Sequence, residues 1–204
     1  MPKKTKTRTH AKILKVAARR FRELGLDGIG VADVMKQAGV TVGAFYKHFK
    51  SRDELVVEAL GTAFKDIDAW EEYAETLPQL LEYYLTEYHR DNPGVGCAMA
   101  ALLGDMNHAS KSAKTVYTAR VKRSLAVTAS LLPCKENADK RSRALLILTS
   151  LLGALNLSRA VSDPSLSREI LDRVRRQLVD LTAGNSVSKR GARLKRRELS
   201  ESTS

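Results

Sequence analysis

The sequence predicts an all-α protein, on three observations. Apolar residues recur at intervals of three and four through most of the 204 positions, the spacing of one helix face. No stretch shows the period-two alternation of a half-buried strand. Only five prolines interrupt the chain, which leaves long segments free to coil. A composition of 43% hydrophobic and 28% charged residues suits one protein of one or two domains.

Residues 1–8 are rich in Lys and Thr without periodicity and read as a flexible basic arm. From Thr9 the pattern turns helical. Ile13, Leu14, Ala17, Ala18, Phe21 and Leu24 form one apolar stripe, and Gly25 stops it. Val31 to Ala38 is a short second helix ended by Gly39, and a third runs from Val42 to Phe49 with Thr41 as its cap. Ser51 caps a fourth, where Asp53 and Glu54 suit the positive end of a helix. Packing through Phe21, Val34, Val40, Phe45 and Phe49 makes residues 9–52 a small domain.

Residues 53–183 read as a second helical domain. The fourth helix continues from Leu55 to Ala74, and Pro78 sits in the first turn of a fifth, which carries Tyr83, Tyr84 and Tyr88. Asp91-Asn92-Pro93-Gly94 is a turn. Cys97–Ala109, Ala113–Leu132, Asp139–Val161 and Leu166–Leu181 follow as helices, with Pro133 and Asp163-Pro164 as breaks. Residues 184–204, dominated by Ser, Lys and Arg, read as a disordered basic tail.

Charge is uneven. Residues 1–52 hold 13 Lys/Arg against 3 Asp/Glu, and residues 183–204 hold 6 against 2, while the whole chain is +12. A basic first domain on a near-neutral body points to a polyanion met by one end of the molecule. The stretch from Gly39 to Leu55 says which. A turn, a helix of barely two turns and a new helix start follow one another there, and Tyr46, Lys47 and His48 can donate to phosphate. So short a helix is rarely stable alone; insertion into a DNA major groove by a helix-turn-helix explains it.

Two cysteines, Cys97 and Cys134, lie far apart without CxxC spacing, against a disulfide framework or zinc module and compatible with a reducing cytoplasm. The longest uncharged run is the 15 residues between Arg143 and Arg159, shorter than the roughly 18 of a membrane span. No GxSxG, Walker loop or HExxH is present, so an enzyme is not expected, nor a cofactor. Leu145, Leu148, Leu152 and Leu155 follow a 3-4-3 spacing on a helix apolar almost all round, and Ile170, Val174, Leu178 and Leu181 stripe the last one. Such a pair predicts a homodimer through a four-helix contact.

The first fifty-five residues resemble the DNA-binding domain of the TetR family of bacterial transcriptional repressors. The likeness lies in Ala17, Phe21 and Gly25; Val31, Asp33 and Val34; Ala38-Gly39-Val40-Thr41, Gly43, Phe45-Tyr46, His48-Phe49, Ser51-Arg52 and Leu55. It implies a nine-helix layout, dimerisation through the last two helices, and a palindromic double-stranded DNA operator in the cytoplasm, at the nucleoid. Thr41, Val42, Gly43 and Ala44 would lie nearest the base edges, with Tyr46, Lys47, His48, Lys50 and Arg52 on the backbone beside them. Gly30 departs from the family's usual Ser or Thr cap of the second helix. Ala32 and Val42 stand where many members carry polar base readers, which shifts weight to thymine methyls, DNA shape and the arm Lys3, Lys4, Lys6 and Arg8.

The resemblance also implies a small-molecule inducer inside the second domain, hydrophobic or aromatic in character. Trp70, Tyr83, Tyr84, Tyr88, Cys97, Met99, Leu102, Leu103, Met106 and Tyr117 are its candidate lining. Cys97 follows Gly94-Val95-Gly96 at a helix start, where a lowered thiol pKa would suit a redox or electrophile sensor, the alternative mode of release. Asp105, His108 and His89 are spaced too loosely to argue for a metal. A merely charge-driven nucleic-acid binder is the remaining competitor; equal affinity for random and palindromic DNA across a salt titration would favour it.

Overall fold

The computed structural model describes residues 2–133 and 137–182, and among these every regular element is helical. The helices are α1 (Pro2–Leu24), α2 (Val31–Gln37), α3 (Arg52–Tyr73), α4 (Leu77–Tyr84), α5 (Glu87–Asp91), α6 (Ala98–Ala101), α7 (Lys111–Ser130), α8 (Asn137–Ala160) and α9 (Pro164–Thr182). Three short 3₁₀ turns cover Val42–Lys47, Pro93–Val95 and Asp105–Asn107. Cys134 and the basic tail at 184–204 lie outside the described residues.

The head is built as its punctuation dictates. Gly25 and Gly39 carry φ of +77° and +66°, a left-handed geometry that other residues adopt at a cost, and each turns the chain after a helix. Ile13, Ala17 and Phe21 of α1 meet Val34, Met35, Phe45 and Phe49 in one dry cluster. The Ser51 hydroxyl accepts from the Glu54 N–H at 3.1 Å and starts α3, which runs from head to body.

Four expectations are corrected. The segment 1–8 is no separate arm from residue 2 on: α1 begins at Pro2, whose missing N–H costs nothing in a first turn. The third element is a 3₁₀ turn with no side-chain cap from Thr41. Its bonds from Ala44 N–H to Thr41 O (3.0 Å) and His48 N–H to Phe45 O (2.8 Å) tighten a segment too short to propagate as α-helix. The helix drawn through Tyr83, Tyr84 and Tyr88 breaks at Leu85, and the Thr86 hydroxyl caps a new one at the His89 N–H, 3.1 Å away. Cys97–Ala109 is helical only over Ala98–Ala101 before a turn. There Asp105 leaves the helical path to accept the Leu26 N–H at 2.6 Å, so a tertiary bond overrides local propensity.

In the body, α3 and α8 pack on α7, α6 lies against α3 and α8, and α9 lies against α4 and α8. The α3–α7 seam is polar. Arg120 binds both Asp68 and Glu71, and Ser124 donates to Glu71 at 2.6 Å, with Arg120, Glu71 and Ser124 all buried. Buried charges need such partners to repay lost hydration.

Candidate functional site

Two places concentrate chemistry, the tip of the head and a cavity in the body. At the tip the 3₁₀ turn sorts its residues into two sets. Phe45 and Phe49 are buried and tie it to the core. Thr41, Val42, Gly43, Tyr46, Lys47 and Lys50 are exposed, Tyr46 by 79%, and Ala44 is half-buried. A Cβ at Gly43 would meet nothing within 4 Å, so the backbone there is open to close approach. Burying rings while leaving a tyrosine and two lysines bare presents donors without endangering the core.

Two of the expected backbone contacts also make contacts within the head. His48 is half-buried, its ring 5.8 Å from that of His10, which in turn stacks on Phe49 at 4.6 Å. Arg52 donates to the Leu26 carbonyl and to Asp27 at 3.1 Å, holding the loop after α1. His10 adds a bond to Glu58 at 2.6 Å, so head and α3 are tied at both ends.

The cavity opens between α3, α4, α7 and α8 with a volume of about 300 Å³. Trp70, Tyr83, Tyr84, Tyr88, Cys97 and Met99 line it, as the sequence suggested. Leu102, Leu103, Met106 and Tyr117 do not. Leu102 and Met106 are plain core and Leu103 is exposed. Tyr117 spends its hydroxyl on the Met99 carbonyl at 2.7 Å. Polar wall groups that pattern reading missed are Asp66, Glu71, His89, Asn92, Ser124 and Thr128. Glu71 had a signal: it follows Phe64, Ile67 and Trp70 on the inward stripe of α3.

His89 is held in one tautomer. Its Nδ1 lies 2.7 Å from the Tyr84 carbonyl and must donate; its Nε2 lies 2.8 Å from the Cys97 N–H and must accept. Burial, and secondarily Arg159, lower its pKa. Above about pH 6.5 the neutral ring's contribution to stability is complete, and it drains as pH falls toward the depressed folded value, where Nε2–H would face the Cys97 N–H. Replacing His89 by Gln should therefore flatten the fall in melting temperature between pH 6.5 and 5; an unchanged slope would contradict this.

Cys97 departs from the expected reactive thiol. Burial dominates and raises its pKa, while the Tyr84 hydroxyl and then the Ala100 and Met99 N–H groups lower it. Nor do Asp105, His108 and His89 converge, since Asp105 is bound to Leu26 and His89 to the cavity wall.

Residues 13–59 match the family model described as bacterial regulatory proteins, tetR family. An uncharacterized HTH-type transcriptional regulator of Bacillus subtilis strain 168, YvdT, is 33% identical over 101 residues, 45% of this chain and 52% of that protein. The HTH-type transcriptional regulator AcrR of Shigella flexneri is 43% identical over 63 residues, 28% of each. The chain thus spans about half the length of the first of these relatives and less of the second. The fold agrees over nearly the whole chain. A TetR-family regulator from Cytophaga hutchinsonii superposes with a TM-score of 0.74 at 18% identity, covering 88% of this chain and 96% of that one. Residues 13–59 thus match the TetR family, and the fold as a whole is one that TetR-family regulators of known structure adopt.

The eight residues expected at a dimer contact divide. Leu148, Leu152, Leu155 and Leu178 are buried inside their own chain. Leu145 is exposed, and Ile170, Val174 and Leu181 are partly so. Leu146, Leu157 and Leu166, absent from that set, are also bare. Ser150, Gly153 and Leu157 of α8 form a shallow groove with Leu166, Ile170 and Val174 of α9, and a second groove continues it past Leu146 to Leu181. No helix among the described residues is long and apolar enough to cross a membrane.

Proposed function

We propose that the chain is a non-catalytic repressor that binds a palindromic operator as a homodimer and is released by a small apolar ligand in the body cavity. The observation that carries the reading is the bare turn Thr41–Lys47, anchored from beneath by Phe45 and Phe49 and flanked by Lys50. Small groups at Thr41, Val42, Gly43 and Ala44 suit close approach to base edges and thymine methyls. Tyr46, Lys47 and Lys50 suit phosphates. His48, half-buried, and Arg52, exposed but bonded to Leu26 and Asp27, would act by holding that surface in place. Its place of action is the cytoplasm, on chromosomal DNA.

Release needs a ligand that favours a different setting of the two heads. The α1 end supports a route. Arg22, buried, donates to Asp66 at 2.9 Å and to the Gly96 carbonyl at 3.3 Å, and both of those residues wall the cavity. Gly94 packs against Glu23 with no room for a Cβ. A ligand that displaces the Gly94–Cys97 loop therefore pulls on the helix that carries the head. Release by Cys97 oxidation is the weaker mode, because the thiol is buried and held protonated.

For the dimer, the bare leucines of α8 and the half-covered stripe of α9 are the surface to pair. Leu146→Glu with Val174→Glu should give folded monomers by sedimentation, whereas Leu148→Glu should unfold the chain. A persistent dimer in the double variant would discredit the face. The whole reading is tested by a gel shift on a selected duplex: the wild type retards it and a cavity ligand abolishes the shift. No retention of any duplex would refute it.

A further inference from the structure

Among the polar groups that wall the cavity, the Tyr84 hydroxyl stands apart. Glu71 accepts from Arg120 and Ser124, Thr128 donates to the Ser124 carbonyl at 2.8 Å, Asp66 accepts from Arg22, and both His89 nitrogens are engaged. Tyr84 is 5% exposed, and its hydroxyl bonds no nitrogen or oxygen; it is set against the Cys97 thiol, whose sulfur is only a weak partner. A buried hydroxyl left in that state costs free energy that a fitting acceptor recovers.

We propose that Tyr84 is the polar anchor of this cavity and that the ligand is a compact, neutral aromatic molecule carrying one hydrogen-bond acceptor, such as a carbonyl oxygen. The inference rests on the ligand-binding reading above. Several observations select this class. The ring of Trp70 lies 5.6 Å from that of Tyr84, and Tyr83 and Tyr88 stand exposed at the mouth, so flat apolar surface is matched. A volume of about 300 Å³ admits two linked or fused rings and little more. An anion would face the Asp66 and Glu71 carboxylates. A cation would find both already matched by Arg22 and Arg120. Burial also holds the phenol protonated, so it offers a donor.

Trp70 is the single tryptophan of the chain and lines the cavity, so its fluorescence reports occupancy. Benzophenone and diphenylmethane are suitable probes, alike in size and differing in the carbonyl. The wild type should bind benzophenone about 3- to 10-fold more tightly, the ratio one neutral hydrogen bond provides. Tyr84→Phe, which removes only the hydroxyl, should bring the ratio to about one while leaving diphenylmethane affinity unchanged, and Tyr83→Phe at the mouth should keep the wild-type ratio. Equal binding of both probes by the wild type, or a preference that survives Tyr84→Phe, overturns the anchor and leaves the cavity as a ligand site. If neither probe alters Trp70 fluorescence, the anchor and the ligand-site reading fall together.

Discussion

Tyr46→Ala and Lys47→Ala are each expected to weaken operator binding at least tenfold while leaving the fold and the dimer intact. A hydrogen bond to a charged phosphate contributes roughly 1.5–3 kcal/mol, and about 1.4 kcal/mol is a factor of ten in affinity. Tyr46 and Lys47 are exposed, and Tyr46 meets the core only at the edge of the Phe45 ring, 5.2 Å between centroids, so stability should change by less than about 1 kcal/mol. Lys47→Ala should in addition lower the slope of log affinity against log salt by about one, the signature of a lost phosphate contact. Fluorescence anisotropy across a salt series reads both effects. Undiminished affinity in both variants would remove the turn from the interface.

The largest loss of stability is expected at Glu71. With its side chain gone, Arg120 keeps only the more exposed Asp68 as a carboxylate partner, and its guanidinium stays buried between α3 and α7. Breaking one partner of a buried pair costs about 3–5 kcal/mol, so Glu71→Ala should lower the melting temperature by roughly 6–20 °C for a chain of this size. Glu71→Leu combined with Arg120→Met should recover much of the loss, because apolar residues need no repayment for lost hydration. A double variant no better than Glu71→Ala would mean that the network acts through shape rather than charge. Because Glu71 also walls the cavity, ligand affinity should fall with stability in the single variant.

How far the sequence could be read follows from where local chemistry decides. Gly25, Gly39 and Ser51 act on their own neighbours, so the turns and the helix start they mark were legible. The break after α6 was not, because the Asp105 bond to Leu26 spans 79 positions and leaves no trace in local spacing. On α8 the difficulty was of another kind. A helix apolar on nearly every side has several leucine stripes, and periodicity cannot say which turns inward. The Leu148, Leu152 and Leu155 stripe faces the chain's own core, while Leu146 and Leu157 remain bare. The cavity was half legible. Its aromatics announced themselves by type, whereas Glu71, Ser124 and Thr128 are polar residues whose burial is settled by partners on other helices.

In the proposed function a pair of heads reads DNA through Thr41–Lys47. The most direct test is to select, from a random duplex pool at physiological salt, the molecules that the full chain retains. The prediction is an inverted repeat with half-sites about 34 Å apart or a multiple of that spacing, enriched by the wild type and not by a Tyr46→Ala, Lys47→Ala double variant. Recovery of unrelated sequences, or the same repeat from both proteins, would contradict it.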